Sequence, residues 1–182
     1  MAEPGAQGWI VLVGLMGAGK SVVGRALAAR LDLPFVDSDA AIEEAARMTV
    51  SEIFAQDGEA FFRARESEVL ARLLAGPPGI LATGGGVFAS EANRAAIRDA
   101  GAVSVWLEGS VDLLWSRVRG KAHRPLLDRP DAKARLAALH AARAPSYALA
   151  DAVIPGEEGR SIGDTALAVE RAVRRARPEL LP

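Results

Sequence analysis

Short apolar runs alternate along the chain with longer segments whose apolar residues recur every three or four positions. That alternation predicts α/β structure built on a parallel sheet. Trp9-Ile-Val-Leu-Val13 is hydrophobic throughout, as a strand covered on both faces must be. From Ser21 to Leu31 the apolar positions Val23, Leu27 and Leu31 recur every four residues and predict a helix lying on the sheet. Leu33-Pro-Phe-Val36 reads as a second strand. Residues 39–56 predict two short helices, and Glu59 to Leu74 a longer one stopped by Pro77-Pro78-Gly79. Ile80-Leu-Ala-Thr83 is the third strand, and Ser90 to Ala100 is a helix with Ser90 as its N-cap. Val103 to Leu107 is the fourth strand, followed by a helix over 111–118. Residues 119–131 have no period, contain Gly120, Pro125 and Pro130, and are rich in Arg and Lys, which predicts a mobile loop. A helix over 132–143, a strand at Ala152-Val-Ile154 and a helix from Ser161 to Arg177 complete the pattern. The core stripe of that last helix is expected at Ile162, Ala166, Val169 and Val173. There is no internal repeat and no low-complexity linker.

Composition narrows this picture. With 182 residues, half of them hydrophobic, the chain is expected to form one domain over 1–182. A formal net charge of −1 gives no electrostatic reason for nucleic acid or an acidic membrane to be a partner. The absence of cysteine excludes disulfides and thiolate metal sites. Met1 to Gly8 lacks the basic and apolar regions of a secretion signal, and no apolar run reaches the length of a membrane span, so a cytoplasmic location is the default. Among 22 Lys and Arg residues just three are lysines, at 20, 121 and 133. A compact ammonium at position 20 would suit a phosphate.

The first strand runs directly into Gly14-Leu-Met-Gly-Ala-Gly-Lys20-Ser21, a full G-x-x-x-x-G-K-[ST] match. Glycines let the backbone wrap closely enough to aim successive N–H groups at phosphate oxygens. The helix that follows adds its unpaired N–H groups and positive dipole end. Lys20 would neutralise the β- and γ-phosphates of a nucleoside triphosphate, and the Ser21 hydroxyl would ligate Mg²⁺. Nucleotide contacts are therefore expected from Gly17, Ala18, Gly19, Lys20, Ser21 and Val22. A dinucleotide fingerprint is excluded, because no third glycine follows Gly17 and Gly19 at the required spacing.

Four further clusters bear on what receives the phosphate. Asp37-Ser-Asp39 lies at the carboxyl end of the second strand, where open α/β sheets bind ligands. These carboxylates suit a metal shell, with Asp37 the candidate, and hydroxyl binding; an Asx turn capping a helix is the structural alternative. Arg63 and Glu66 are three apart on a helix and share a face, which an exposed ion pair would also explain. Thr83-Gly84-Gly85-Gly86 ends the third strand, and three successive glycines cost backbone entropy unless something must approach the main chain. His123-Arg124-Pro-Leu-Leu127 sits in the basic loop, and Arg143 precedes Tyr147 by four.

The ordered set resembles one family over essentially the whole chain, the shikimate kinases. It runs from the Gly14–Ser21 loop through Asp37-x-Asp39, Phe62-Arg63-x-x-Glu66, Gly84-Gly85-Gly86 and Arg124-Pro-Leu-Leu to Arg143-x-x-x-Tyr147. The resemblance implies a P-loop kinase fold with a five-stranded parallel sheet in the order 2-3-1-4-5. It also implies a helical acceptor-binding region over about 38–66 and a lid over about 119–131. It implies that Asp39, Arg63, the Gly84, Gly85 and Gly86 backbone and Arg143 hold shikimate, both arginines taking its carboxylate. Arg124 becomes the lid arginine over the transferring phosphate, and Arg117 and Arg160 flank adenine. Lys20, Asp39 and Arg124 are the implied catalytic set, Ser21 and Asp37 the implied metal residues, ATP and Mg²⁺ the co-substrate and cofactor, and a monomer the expected state. Val22 departs from the family's usual Thr and loses a side-chain hydroxyl. His123 and His140 match no metal or base pattern, and Trp9, Trp106 and Trp115 are expected in the core or at its edge. A gluconate kinase would share the phosphate loop without needing the Asp/Arg/Gly-Gly-Gly/Arg set. A sensing domain of the same ancestry would bind without turnover.

Overall fold

The computed structural model describes residues 8–119 and 130–182. Most of the expected lid, with His123 and Arg124, lies outside the described residues.

Strand β1 (Ile10–Val13) has no solvent exposure at any of its four positions, which explains its unbroken hydrophobicity. It lies at the centre of a parallel five-stranded sheet completed by β2 (Phe35–Asp37), β3 (Ile80–Ala82), β4 (Val103–Leu107) and β5 (Ala152–Ile154). The order is β2-β3-β1-β4-β5, as the resemblance implied. Ile10 is in register with Ile80 on one side and Val103 on the other. Strand β2 starts after Pro34 and reaches Asp37, two residues later than the hydrophobic pattern suggested at its start. Proline has no N–H to give to a ladder, so pairing begins beyond it.

Among the described residues, seven α-helices follow the expected plan: α1 (Lys20–Leu31), α2 (Ser38–Ala46), α3 (Val50–Leu74), α4 (Glu91–Asp99), α5 (Val111–Val118), α6 (Ala132–Tyr147) and α7 (Ile162–Ala176). Side-chain oxygens close several of their N-termini. Thr49 and Glu52 form a reciprocal capping box on α3. Ser90, Ser110 and Ser161 cap α4, α5 and α7. Each cap is worth about 1 kcal/mol against alanine. Gly58 interrupts α3 with φ 83 and ψ 173, so the short segment before it and the long one after it are distinct helical pieces, as expected.

Two expectations need correction. Helix α6 does not end at 143 but continues through Pro145 to Tyr147. Pro145 in the last turn cannot donate to the carbonyl four residues earlier, and the helix continues past it because the buried Tyr147 ring anchors that turn in the core. Ile162 is half exposed rather than part of the α7 stripe; Ala166, Val169 and Val173 carry that stripe, each at most 1 % exposed. Ile162 is the first residue of its helix and faces the cleft beside the phosphate loop.

The main core covers both sheet faces, and Trp9 and Trp106 are buried in it with Trp115 packed against it. A second cluster of Ile42, Ile53, Phe62 and Val69 joins α2 to α3, with Phe54 and Phe62 ring centroids 4.6 Å apart. It fixes the α2–α3 arm above the carboxyl edge of β2 and β3. Among the described residues, no helix is long and apolar enough to cross a membrane.

Candidate active site

The turn between β1 and α1 needs left-handed backbone at Gly17 (φ 83) and Gly19 (φ 91), where side chains are strained. A Cβ on Gly17 would also press on Val118 and the Leu114 carbonyl. The Lys20 ammonium bridges two carbonyls of its own loop, Gly14 O at 2.7 Å and Leu15 O at 3.0 Å. A cleft of about 530 Å³ opens over this loop. Gly17, Ala18, Gly19, Lys20, Ser21 and Val22 line its floor, and Arg117, Pro155 and Arg160 its far wall. Arg117 donates to Gly17 O at 3.3 Å, while Arg160 is held by Pro155 O and the Glu157 carboxylate. Val22 and Ile162 are both about half exposed and add an apolar rim to the same cleft.

At the end of β2 the two readings of Asp37 coexist in one side chain. Its Oδ1 accepts from Asp39 N and Ala40 N and caps α2, while its Oδ2 accepts from the Ser21 hydroxyl at 2.5 Å. Two hard oxygens thus meet beside the phosphate loop. Among the described residues no cluster of three or more His, Cys, Asp or Glu could enclose a metal. That donor set fits Mg²⁺, which keeps waters and phosphate oxygens and needs few protein ligands.

The acceptor candidates converge on the glycine strip after β3. Ser38 Oγ accepts from Gly84 N at 3.0 Å and so docks α2 onto the strip. A Cβ on Gly84 would stand 2.7 Å from Asp39 Oδ1 and 2.8 Å from Glu66 Oε1, which makes glycine a steric requirement there. The Arg63 guanidinium occupies the space beside Gly86, and Arg143 Nη1 lies 3.2 Å from the corresponding point on Gly85. Asp39, Arg63 and Arg143, from α2, α3 and α6, are therefore within reach of one three-residue segment. Asp39 also lines the nucleotide cleft, so it lies between the two halves.

Arg63 donates to Glu66 Oε2 at 2.9 Å, but this is no surface pair, because Glu66 is 2 % exposed. Burial pushes the Glu66 carboxyl above its ordinary range, and Arg63 offsets part of that. Its other oxygen, Oε1, is buried with no hydrogen-bond partner. The sequence reading missed the depth of Glu66 and the strip contact of Ser38. The i, i+3 spacing to Arg63 and the position between two aspartates were the available signals.

Desolvation raises Asp39 to about 6, with the neighbouring Asp37 charge adding to it and Lys20 opposing it. A raised value means the carboxylate form is lost as pH falls through about 6. With neither nucleotide nor metal present, an acceptor whose hydroxyl donates to Asp39 should bind more tightly as pH rises through that midpoint. Affinity should be roughly tenfold weaker one unit below it. Calorimetric titration across that range checks this; a flat profile would show that Asp39 ionisation is irrelevant to binding.

Comparisons with known proteins follow the same lines. The shikimate kinase family model matches residues 16–174. A shikimate kinase of Cereibacter sphaeroides is 54% identical over 172 residues, covering 94% of this chain and 85% of its own. One of Ruegeria pomeroyi is 57% identical over 153 residues, covering 84% and 78%. The solved shikimate kinase of Acinetobacter baumannii, in complex with shikimate, superposes with a TM-score of 0.84 at 34% identity, over 95% of this chain and 93% of that one. The phosphate loop, the sheet order and a family match over most of the length agree, and the chain belongs to the shikimate kinase family, a group of ATP-dependent phosphotransferases.

Proposed function

We propose that this enzyme transfers the γ-phosphoryl group of ATP to the 3-hydroxyl of shikimate, giving ADP and 3-phosphoshikimate. The observation that carries this reading is the meeting of Asp39, Arg63 and Arg143 on the Gly84–Gly86 strip, directly beside the phosphate loop. A carboxylate for hydroxyls faces two guanidinium groups for a carboxylate, which matches a polyhydroxylated acid. A gluconate kinase reading has no comparable support in this chain.

The residues act as follows. The N–H groups of Gly17 to Val22 and the ammonium of Lys20 hold the phosphates, and Arg117 and Arg160 flank the base. Arg63 and Arg143 clamp the acceptor carboxylate and so turn its hydroxyl toward Asp39. Asp39 orients that hydroxyl and takes up its proton as the new P–O bond forms. Phosphoryl transfer passes through a loose transition state, so positioning and charge supply most of the rate enhancement. Ser21 and Asp37 would hold Mg²⁺, which neutralises developing negative charge on the phosphates when bound. Arg124 completes the charge set as a lid residue.

Coupled ADP release tests the reading with shikimate, gluconate and no acceptor; turnover with gluconate but not shikimate would overturn it. Arg124→Ala should lower kcat about tenfold or more and leave shikimate affinity unchanged, since a lid residue acts after both substrates are bound. A weaker shikimate Kd with unaltered kcat would make Arg124 an acceptor clamp instead.

A further inference from the structure

Tyr147 is the chain's single tyrosine, and it is 2 % exposed at the end of α6, one turn after Arg143. Its hydroxyl donates to the Gly85 carbonyl at 2.5 Å. Its ring packs on Trp106 with centroids 5.7 Å apart, and Trp106 in turn lies against Gly14, at the start of the phosphate loop. A Cβ on Gly85 would stand 3.7 Å from Gly14 O and 3.8 Å from Met16 N. Tyr147 thus touches the glycine strip through its oxygen and, through Trp106, backs the loop that holds the phosphates.

A core aromatic does not need that hydroxyl. Phenylalanine would fill the same space, and the Gly85 carbonyl at the cleft could take a water. The peptide between Gly85 and Gly86 is trans, so its carbonyl and its N–H point in opposite directions. Fixing the carbonyl therefore fixes the N–H. Among the described residues, the Gly85 and Gly86 N–H groups have no acceptor within the chain. Val87 N donates to Gly84 O at 3.2 Å and closes a turn around this peptide, but with glycine at both central positions that bond still lets the peptide turn over.

We propose that Tyr147 is a positioning residue whose hydroxyl locks the Gly85–Gly86 peptide so that the Gly86 N–H faces the acceptor. This rests on the acceptor site proposed above. The same helix places Arg143 on the acceptor and Tyr147 on the strip, so one rigid element sets both contacts. Tyr147 touches neither substrate and acts through that peptide and through Arg143, whose guanidinium lies beside its hydroxyl.

Tyr147→Phe keeps the ring and the Trp106 contact and removes one oxygen. It should lower kcat/KM for shikimate by about tenfold to thirtyfold while the KM for ATP and the affinity for MgADP stay within about twofold. Because there is one tyrosine, biosynthetic replacement by 3-fluorotyrosine is site-specific and keeps a hydroxyl. That protein should retain kcat/KM within about twofold of wild type. Its fluorine resonance should shift on adding shikimate, a readout that does not depend on the Phe variant folding. If Phe leaves shikimate kcat/KM unchanged, or weakens shikimate and MgADP equally, the hydroxyl has no positioning role. A fluorine resonance indifferent to shikimate overturns the proposal as well. Failure of the wild type to phosphorylate shikimate would sink the functional reading instead, and the Tyr/Phe comparison would then be made with the acceptor it does phosphorylate.

Discussion

Lys20→Met should fold normally, bind shikimate with wild-type affinity and lose at least about a hundredfold in kcat. Methionine matches the length and apolar stem of lysine and removes the charge. The folded state gives up the hydrogen bonds to the carbonyls of Gly14 and Leu15 in a partly exposed loop. The loop's shape is set mainly by its glycines and by packing against Val118 and Leu114, neither of which changes. The transition state loses far more. Negative charge spreads over the oxygens of the transferring phosphoryl group, and Lys20 is the one lysine at the loop. Thermal melting, shikimate titration and coupled ADP release on the same preparation separate these effects. Residual turnover above about a tenth of wild type, less than about 1.4 kcal/mol of barrier, would remove Lys20 from the catalytic set.

Arg143→Ala should lower kcat/KM for shikimate by roughly tenfold to a few hundredfold, because a charge-assisted hydrogen bond to a carboxylate contributes about 1.5–3 kcal/mol. The fold should tolerate the change. Arg143 is partly exposed on α6, whose hold on the core comes from Leu136 and Tyr147. A shikimate analogue with a neutral amide for its carboxylate should lose a similar factor with the wild-type enzyme. Combining variant and analogue should cost much less than the two losses together, since both delete one contact. Four kcat/KM values give the coupling energy. Strictly additive losses would mean that Arg143 does not meet the carboxylate, and the acceptor assignment would lose a main support.

The sheet and the phosphate loop could be read from the chain because their determinants are local. A strand buried on both faces has to be apolar at every position, and Gly14 to Ser21 are contiguous. The acceptor site is different in kind. Asp39, Arg63 and Arg143 sit on three separate helices, and periodicity places each on an element without saying that the elements meet. Resemblance to a family supplied that grouping. Glu66 illustrates the limit: its spacing to Arg63 is the same whether the pair is on the surface or beneath the strip, and burial alone distinguishes the two. The end of α6 was misjudged because Pro145 is a strong local stop signal that the distant burial of Tyr147 overrides. Ile162 departs from the stripe because period reports a helical face, while exposure depends on what covers it, and Ile162 lines the open cleft.

The phosphate loop and the glycine strip leave adjacent strands, β1 and β3, whose register is fixed from Ile10↔Ile80 to Leu12↔Ala82. Neighbouring strands in any sheet lie about 4.8 Å apart. The separation between the phosphate loop and the glycine strip is therefore inherited from the backbone ladder. The groups we propose to choose the acceptor, Asp39, Arg63 and Arg143, hang instead from α2, α3 and α6, outside that ladder. Substitutions there would alter the acceptor while the spacing of loop and strip stays as it was, which leaves a scaffold of this kind free to diversify its substrates on one phosphate-binding frame.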